Sequence, residues 1–506
     1  MAVAGWADLY AWHVDRATDT PLFRQVYVQI RSAILSRSLA PGTRLPSTRE
    51  LSSHLRMSRS SVLSAYEQLL AEGYISGKAR SGTYISFDLP VTFDKESARA
   101  PRPLTTPATL SPRAVAMERA DDVIRDIDAR PFNMGRTRID ARTADAWRRV
   151  THQAVRSLDP VHLGYSDPQG LAQVREAISD YLRAARGVRC APEQVIVTGG
   201  TQPAIDLTIR VLLDRHVTVV VEDPCYPPTY SALAAAGVKV CPVPVDAQGI
   251  DVVAAKRTVR SARAIFVTSS HQFPLGVALA MSRRLQLLEW ARETGAWIVE
   301  DDYASEFRYS GRPLPALQGL DEAGRTIYIG TFNKALFPGL RLGYLVVPSE
   351  LRRPFTEARR LIDRQPSTLD QTVIGEFMRQ GYLAAHIRRM RLQYRDQRDV
   401  LVAELRGHVG RHATVEVPDQ GMHLVVYLSQ GISDSAVAAA ARAAGIVARP
   451  LRELYKKAPP RAGLMLGFSG YPCEVIAPAA RRLAAIITAA RAPLDGHLSE
   501  ARSVSQ

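Results

Sequence analysis

Apolar residues in the first ninety positions fall at helical spacing. Phe23, Val26, Tyr27, Ile30 and Ile34 recur three or four apart, which predicts a helix over 23–35. "PGTRLP" (41–46) then breaks the chain. "STRELSSHL" opens on Ser47 with Glu50 three residues later, a capping box that predicts a second helix start. After the short turn "RMS", Val62, Tyr66, Leu69 and Leu70 form one stripe of a third helix, whose first turn carries only Ser58, Arg59, Ser60 and Ser61. "YISGKARSGTYIS" follows and reads as two strands around a glycine-containing turn.

From about residue 131 the pattern changes. Continuous apolar runs at 194–198, 217–221, 264–269, 296–300 and 326–332 alternate with helical patterns such as 171–186, 202–213 and 282–294. Buried strands separated by helices predict a mostly parallel sheet covered on both faces. Beyond 365 the pattern loosens to α+β: "MHLVVYL", a helix from Asp434, "GIVAR", "GLMLGF" and a helix near 474–490. The expected organisation is a compact helical unit with two terminal strands at 18–87, a linker at 88–130, a large α/β domain at 131–365, a small α+β subdomain at 366–492 and a disordered tail at 493–506. The linker assignment rests on "SARAPRPLTTPATLSPRAV", rich in Pro, Ala, Thr and Arg and without periodicity.

A chain of 506 residues exceeds what one hydrophobic core organises, in keeping with this division. A hydrophobic content of 46% and a charged content of 23% are ordinary for a compact soluble protein. The net charge of +15 directs attention to an anionic partner. Cys190, Cys225, Cys241 and Cys473 form neither a C-x-x-C pair nor a zinc spacing, which argues against disulfides and metal. The start, "MAVAGWADLYAWHVD", lacks the basic and apolar regions of a signal peptide, and no uncharged apolar run reaches membrane-spanning length, so a cytoplasmic location is expected.

Two short helices, a tight turn and a helix with a polar N-terminus match the helix-turn-helix arrangement. Serine hydroxyls and backbone N–H groups there suit phosphate, and arginines read guanine bidentately. Arg44, Arg49, Arg59, Lys78 and Arg80 supply positive charge.

In the body, Lys334 follows the apolar run "TIYIGTF", at a strand end where α/β crevices form. Burial depresses a lysine pKa enough for the amine to attack an aldehyde. Pyridoxal phosphate needs a carboxylate at its ring nitrogen, a hydroxyl at its phenolic oxygen and a phosphate cup. Asp301 and Tyr303 in "VEDDYASEFRY" can supply the first two. Gly200, Thr201 and Gln202 in "TGGTQ", at a helix start, together with Thr331 and Arg341, can supply the third. Tyr226 in "EDPCYPP" can stack on the ring.

The segment from "PLFRQVYVQI" to "SGTYI" resembles the winged helix-turn-helix of the GntR regulators, most specifically in "PGTRLPSTRELS" and "SRSSVLSAYEQL". The resemblance implies double-stranded DNA as partner, with Arg44, Ser47, Arg49, Ser58, Arg59, Ser60, Ser61 and the wing glycine Gly82 as contacts. Residues 131–490 resemble the fold-type I aminotransferases in the order Gly-Gly-Thr-Gln, Asp-Pro-x-Tyr-Pro, Asp-x-Tyr, Lys, Arg. That implies pyridoxal 5′-phosphate as cofactor, with Lys334 as the Schiff-base lysine, and catalytic only if the protein is an enzyme. Tyr165 in "GYSDPQG" is then expected to reach the cofactor phosphate of a partner subunit. The combination resembles the MocR subfamily of bacterial regulators, which implies a head-to-tail homodimer and a body that senses an effector.

Three positions depart from working aminotransferases. Met465 in "GLMLGFSG" stands where an arginine grips a substrate carboxylate, Phe273 replaces an asparagine, and Asn333 precedes the lysine where serine is common. Methionine cannot hold a carboxylate, although Arg449 in "VARPLREL" is a possible substitute. The departure favours a regulator that senses the cofactor itself, or an amine without a carboxylate such as a sulfonate. The alternatives are an active aminotransferase with an appended DNA-binding domain and a cofactor-free dimerisation relic.

Overall fold

The computed structural model describes residues 12–78, 82–88, 110–118, 129–157, 164–311 and 314–490. It divides into two compact units at residue 109. The first contains α1 (Leu22–Leu35), α2 (Thr48–His54), α3 (Arg59–Ala71), β1 (Ile75–Lys78) and β2 (Gly82–Ile85). Both halves of the expected capping box form at α2. Glu50 N donates to Ser47 Oγ at 3.2 Å and Ser47 N to Glu50 Oε2 at 2.7 Å. Ser58 caps α3 by accepting from Ser61 N at 3.2 Å. Val26, Ile30 and Ile34 of α1 join Val62, Tyr66 and Leu69 of α3 in one core. The Tyr66 hydroxyl donates to Pro46 O at 2.8 Å, which fixes the approach to α2. β1 and β2 pair antiparallel as the wing. Its tip, with Arg80, lies outside the described residues, as do the Lys78 side chain, most of 88–130 and the tail 493–506. Within 88–130, Pro112–Glu118 is helical.

The second unit is built on an eight-stranded sheet in the order β3-β10-β9-β8-β7-β4-β5-β6. The strands are β3 (Val195–Thr198), β4 (Thr218–Asp223), β5 (Lys239–Asp246), β6 (Gly249–Ile250), β7 (Ala264–Val267), β8 (Trp297–Asp302), β9 (Thr326–Thr331) and β10 (Gly343–Val346). β4, β5, β7, β8 and β9 pair parallel, while β10 runs antiparallel to both β9 and β3. Alternation along each strand feeds two separate cores. Ile327 and Ile329 of β9 pack with Ile205 and Ile209 of the helix Thr201–Leu212. Tyr328 faces the other side, with Ile178 and Leu182 of the helix Ala172–Arg186. Both faces are therefore covered, which is why the strands read as unbroken apolar runs.

A second sheet, β11-β12-β14-β13, comprises β11 (Ala413–Val415), β12 (His423–Leu428), β13 (Arg449–Pro450) and β14 (Gly463–Gly467). Residues 131–132 are stitched to this part of the chain. Val447 N donates to Pro131 O and Gly467 N to Phe132 O, at 3.0 and 2.9 Å. The helix Tyr382–Val409 serves two cores: Leu383 and Ile387 pack with the helices beside β3, and Met390, Tyr394 and Leu401 pack beneath the small sheet. The whole arrangement is a winged helix-turn-helix with an α/β fold-type I aminotransferase-like body and an α+β C-terminal portion.

The end of β8 is anchored by a buried ion pair. Asp302 Oδ2 accepts from Arg186 Nε at 2.8 Å, from the Tyr328 hydroxyl at 2.7 Å and from Ser305 Oγ at 2.9 Å. The Arg186 and Asp302 side chains are only 6% and 1% exposed. Removing the carboxylate leaves a buried guanidinium without its counter-charge. Asp302→Ala should lower stability by about 3–5 kcal/mol, read from the urea unfolding of the variant against the parent protein.

Candidate functional site

Five strand ends converge on one side of the large sheet. The turn Gly199–Gly200 leaves β3, Tyr226 follows β4, Thr268 follows β7, Asp301 lies in the last turn of β8, and Lys334 follows β9 in the short helix Phe332–Ala335. They surround a cavity of about 340 Å³. Of the residues named from sequence, Lys334, Asp301, Tyr303, Tyr226, Thr201, Gln202, Thr331 and Arg341 line it. Gly200 stands just behind the wall: with φ at +115°, a Cβ there would come within 3.0 Å of Asn333 Nδ2 and 3.8 Å of the Arg341 Nη atoms. Tyr165 is elsewhere, 81% exposed and capped by the Arg364 guanidinium 4.1 Å above its ring.

Lys334 is held by geometry that only glycine permits. Its Nζ donates to Gly135 O at 3.4 Å, and a Cβ on Gly135, at φ +78°, would sit 2.4 Å from that nitrogen. The side chain faces the cavity but is otherwise enclosed by protein. Burial brings the ammonium down to about 8, with Asp301 pulling in the opposite direction. Burial pushes the Asp301 carboxyl up to about 7, reinforced by Asp302 and Glu222. The Tyr303 hydroxyl is driven well above its ordinary range by burial, then by Asp301. Asp301 Oδ1, the Tyr303 hydroxyl and Asn333 Oδ1 are buried without a hydrogen-bond partner among the described residues. Buried polar atoms are almost always paired, so three such atoms facing one cavity mark a place for a polar ligand.

The two aspartates that looked alike in sequence have different surroundings. Asp302 is consumed by Arg186, whereas Asp301 lines the cavity. Thr331 Oγ1 caps the lysine's helix by accepting from Asn333 N at 3.2 Å. Tyr226 meets Phe273 edge-on at 5.3 Å between centroids.

Sequence reasoning missed His423, Thr268 and Met422, which also line the cavity. His423 Nε2 donates to Pro274 O at 2.9 Å, and burial pushes its pKa down to about 4. The available signal was a polar residue opening the otherwise apolar strand β12. Met465 does not reach the cavity. It is fully buried with Val425, Leu451 and Leu454, and its partner in strand register, Arg449, lines the cavity instead.

In the first unit, Ser47, Arg49, Ser58, Arg59 and Ser60 are exposed at the adjoining starts of α2 and α3, with Ser61 half-buried. Arg59 Nε donates to Thr48 Oγ1 at 3.2 Å, drawing the two helix starts together. Arg44 lies along the wing: it forms a bridge with Tyr84, and a Cβ at Gly82 would meet its Nε at 2.9 Å. Residues 22–85 hold nine basic and three acidic residues, a net +6 of the chain's +15.

The fold and cavity define a body of the fold-type I aminotransferase class, in a chain whose residues 22–85 form a winged helix. The family model "Aminotransferase class I and II" matches residues 132–463, and "Bacterial regulatory proteins, gntR family" matches 22–85. The chain is 40% identical over 461 residues to the probable rhizopine catabolism regulatory protein MocR of Rhizobium meliloti, covering 90% of this chain and 92% of that one. It is 34% identical over 388 residues to the pyridoxine biosynthesis transcriptional regulator PdxR of Corynebacterium glutamicum, covering 76% and 78%. The body is similar to the α-aminoadipate aminotransferase LysN of Thermus thermophilus, solved with N-(5′-phosphopyridoxyl)-L-leucine. That match has a TM-score of 0.69 and 26% identity, and covers 75% of this chain and 97% of the other. The chain belongs to the MocR-type GntR transcriptional regulators. Among the described residues no helix is long and apolar enough to cross a membrane.

The surroundings of Lys334 fix the pH dependence of its reactivity. A pKa near 8 leaves roughly a tenth of the amine neutral at pH 7, against far less than a hundredth for an ordinary lysine. Labelling of Lys334 by a small aldehyde and borohydride, followed on its peptide by mass spectrometry, should rise with pH through a midpoint near 8. Asp301→Asn should move that midpoint lower, because Asp301 favours the ammonium form. A midpoint in the ordinary lysine range would show the amine to be solvated.

Proposed function

We propose that the chain is a bacterial transcriptional regulator, acting in the cytoplasm, that reads operator DNA through its winged helix and carries pyridoxal 5′-phosphate in the cavity of the body. The observation that carries the reading is the gathering of Lys334, Asp301, Tyr303, Thr201 and Arg341 around one cavity with three unpaired buried polar atoms. Their chemistry fits the group: a partly neutral amine for its aldehyde, a carboxylate for its ring nitrogen, a hydroxyl for its phenolic oxygen, and an arginine beside a helix start for its phosphate. Tyr226 offers a ring face. The bound cofactor supplies an electrophilic carbonyl carbon and a conjugated ring that withdraws electrons. Lys334 contributes the attachment point, Asp301 holds the charge that balances the ring, and Arg341 with Thr201 orients the phosphate end. Sensing either the cofactor itself or an amino compound suits this arrangement, since an effector shifts a regulator only through differential affinity for its states. The exposure of Tyr165 supports a head-to-tail homodimer in which that residue serves the partner's cavity.

In the winged helix, Arg44, Arg49, Arg59 and the Ser58–Ser61 turn are proposed to meet DNA, with Arg59 at base edges. A second reading, residual transaminase chemistry with Lys334 as the catalytic base, is favoured by the same cavity. Single-turnover mixing with amino donors tests it through conversion of the donor to its oxo acid.

Purified protein incubated with pyridoxal phosphate should acquire a visible absorption band that Lys334→Ala lacks. Absence of the band in the parent protein would overturn the cofactor reading. In footprinting and binding titrations, Arg59→Ala should cost about 1–3 kcal/mol of affinity at the specific site and little at random DNA. Equal losses at both would assign Arg59 to the phosphates.

A further inference from the structure

Asp301 also borders a second, smaller space. Behind the cavity lies a void of about 20 Å³, and Tyr226, Thr268 and Asp301 line both spaces. Another carboxyl group stands on the lining of the void. It belongs to Glu222 of β4, which is 4% exposed and has no cation acting on it among the described residues. Its hydrogen bonds all fall on one oxygen. Oε2 accepts from Thr268 N at 3.1 Å, from Thr268 Oγ1 at 2.6 Å and, more distantly, from Gln272 Nε2 at 3.3 Å. The Thr268 hydroxyl is committed to that direction, because its own oxygen accepts from Phe273 N at 3.0 Å. Oε1 has no partner among the described residues. Across the void, Asp301 Oδ1 is likewise buried without one.

We propose that Glu222 keeps a proton on Oε1 and donates it in a hydrogen bond, through one water molecule in the void, to Oδ1 of Asp301. Glu222 is then the positioning residue that holds Asp301 ionised and turned toward the cavity. The inference rests on the cofactor reading above for what Asp301 serves, and adds a residue to it. The first support is where a proton can sit. An oxygen that already accepts twice from Thr268 is a poor seat for one, so the free oxygen carries it. The second is space. A water molecule needs roughly 10–15 Å³ and two or more polar partners. The void has the volume, and Glu222, Asp301 and the Thr229 hydroxyl line it.

The third support is charge. Two buried carboxyl groups on one void do not both ionise, and they titrate as a pair. Burial pushes the Glu222 carboxyl up to about 7, against the pull of its Thr268 and Gln272 hydrogen bonds. Burial raises Asp301 too, helped by Asp302 and Glu222, but Lys334 pulls it the other way. The cation stands on the Asp301 side, so the negative charge settles on Asp301 and the proton on Glu222. The other ionisable groups around the pair, Cys225, Tyr226 and Tyr303, are held neutral by burial.

The test compares the full-length protein with Glu222→Gln, which keeps a donor and an acceptor but cannot ionise, and with Glu222→Leu, which has neither. The infrared difference spectrum of the parent protein, recorded as the pH is raised through 7, should lose a protonated-carboxyl stretch that Glu222→Gln never shows. Unfolding stability supplies the pH profile. A carboxyl whose pKa rises on folding from 4.5 to about 7 holds its proton only in the folded state between those values. The parent should therefore lose stability relative to Glu222→Gln as pH rises across that window, with no further change above it. A carboxylate that served only to hold the turn at 268–273 would show neither effect. In titration with pyridoxal phosphate, read by the visible band, Glu222→Gln should bind nearly as the parent does. Glu222→Leu should bind about tenfold more weakly or worse, the loss of one hydrogen bond to a charged group. Thermal unfolding of both variants separates a lost position from a lost fold. Absence of the infrared signal from the parent, or a folded Glu222→Leu protein that binds as tightly as the parent, would overturn the proposal. A parent protein that takes up no cofactor would instead overturn the cofactor reading and the service of Asp301 to it, while the infrared and stability measurements still decide where the proton sits.

Discussion

A β-strand turns successive side chains to opposite faces, and the body's chemistry depends on that rule at the end of β8. The doublet Asp301–Asp302 is split by it. Asp302 turns inward, meets Arg186, and pins the strand end to the helix Ala172–Arg186 and to Tyr328 of β9. Asp301 is thereby presented to the cavity, a carboxylate not neutralised by the buried arginine next door. The division lets one residue stabilise the scaffold while its neighbour stays available to a ligand. Neither role is open to both, because a carboxylate sharing the Arg186 pair could not also serve the cavity.

Much of this was legible in the sequence because the signals are local. A capping box needs only residues three apart, and Ser47 with Glu50 forms it as expected. Strands buried on both faces announce themselves as unbroken apolar runs, and β3, β4, β7, β8 and β9 do so. The strands that escaped notice have local reasons too. β5, "KVCPVPVD", is interrupted by two prolines, and β6 is only two residues long. His423 carries no pattern of its own: it reaches the cavity because β12 pairs with β14, a contact between residues more than forty positions apart. Period two alone does not say which of the two aspartates faces the cavity; the Asp-x-Tyr motif is what singled out Asp301, and Asp301 lines it.

Strand pairing also changes how an absent residue should be read. Met465 in place of arginine argued, on sequence alone, against an effector held by its carboxylate. In the sheet, position 465 is one half of a cross-strand pair, and its other half carries the guanidinium. A site on a sheet is a surface shared by neighbouring strands. A function lost from one strand can be carried by the next without changing the fold, provided the side chain is long enough to cover the difference of about 5 Å between them.

Gly135 gives the cavity a diagnostic mark. Because a side chain there would occupy the place of the lysine amine, the identity of that one residue reports whether a chain of this architecture can still seat the amine in this way. A sequence that kept the lysine but filled position 135 would have to move one or the other. The glycine thus serves as a silent witness to the amine: it takes no part in the chemistry, yet its replacement would be readable in a sequence before any experiment was made.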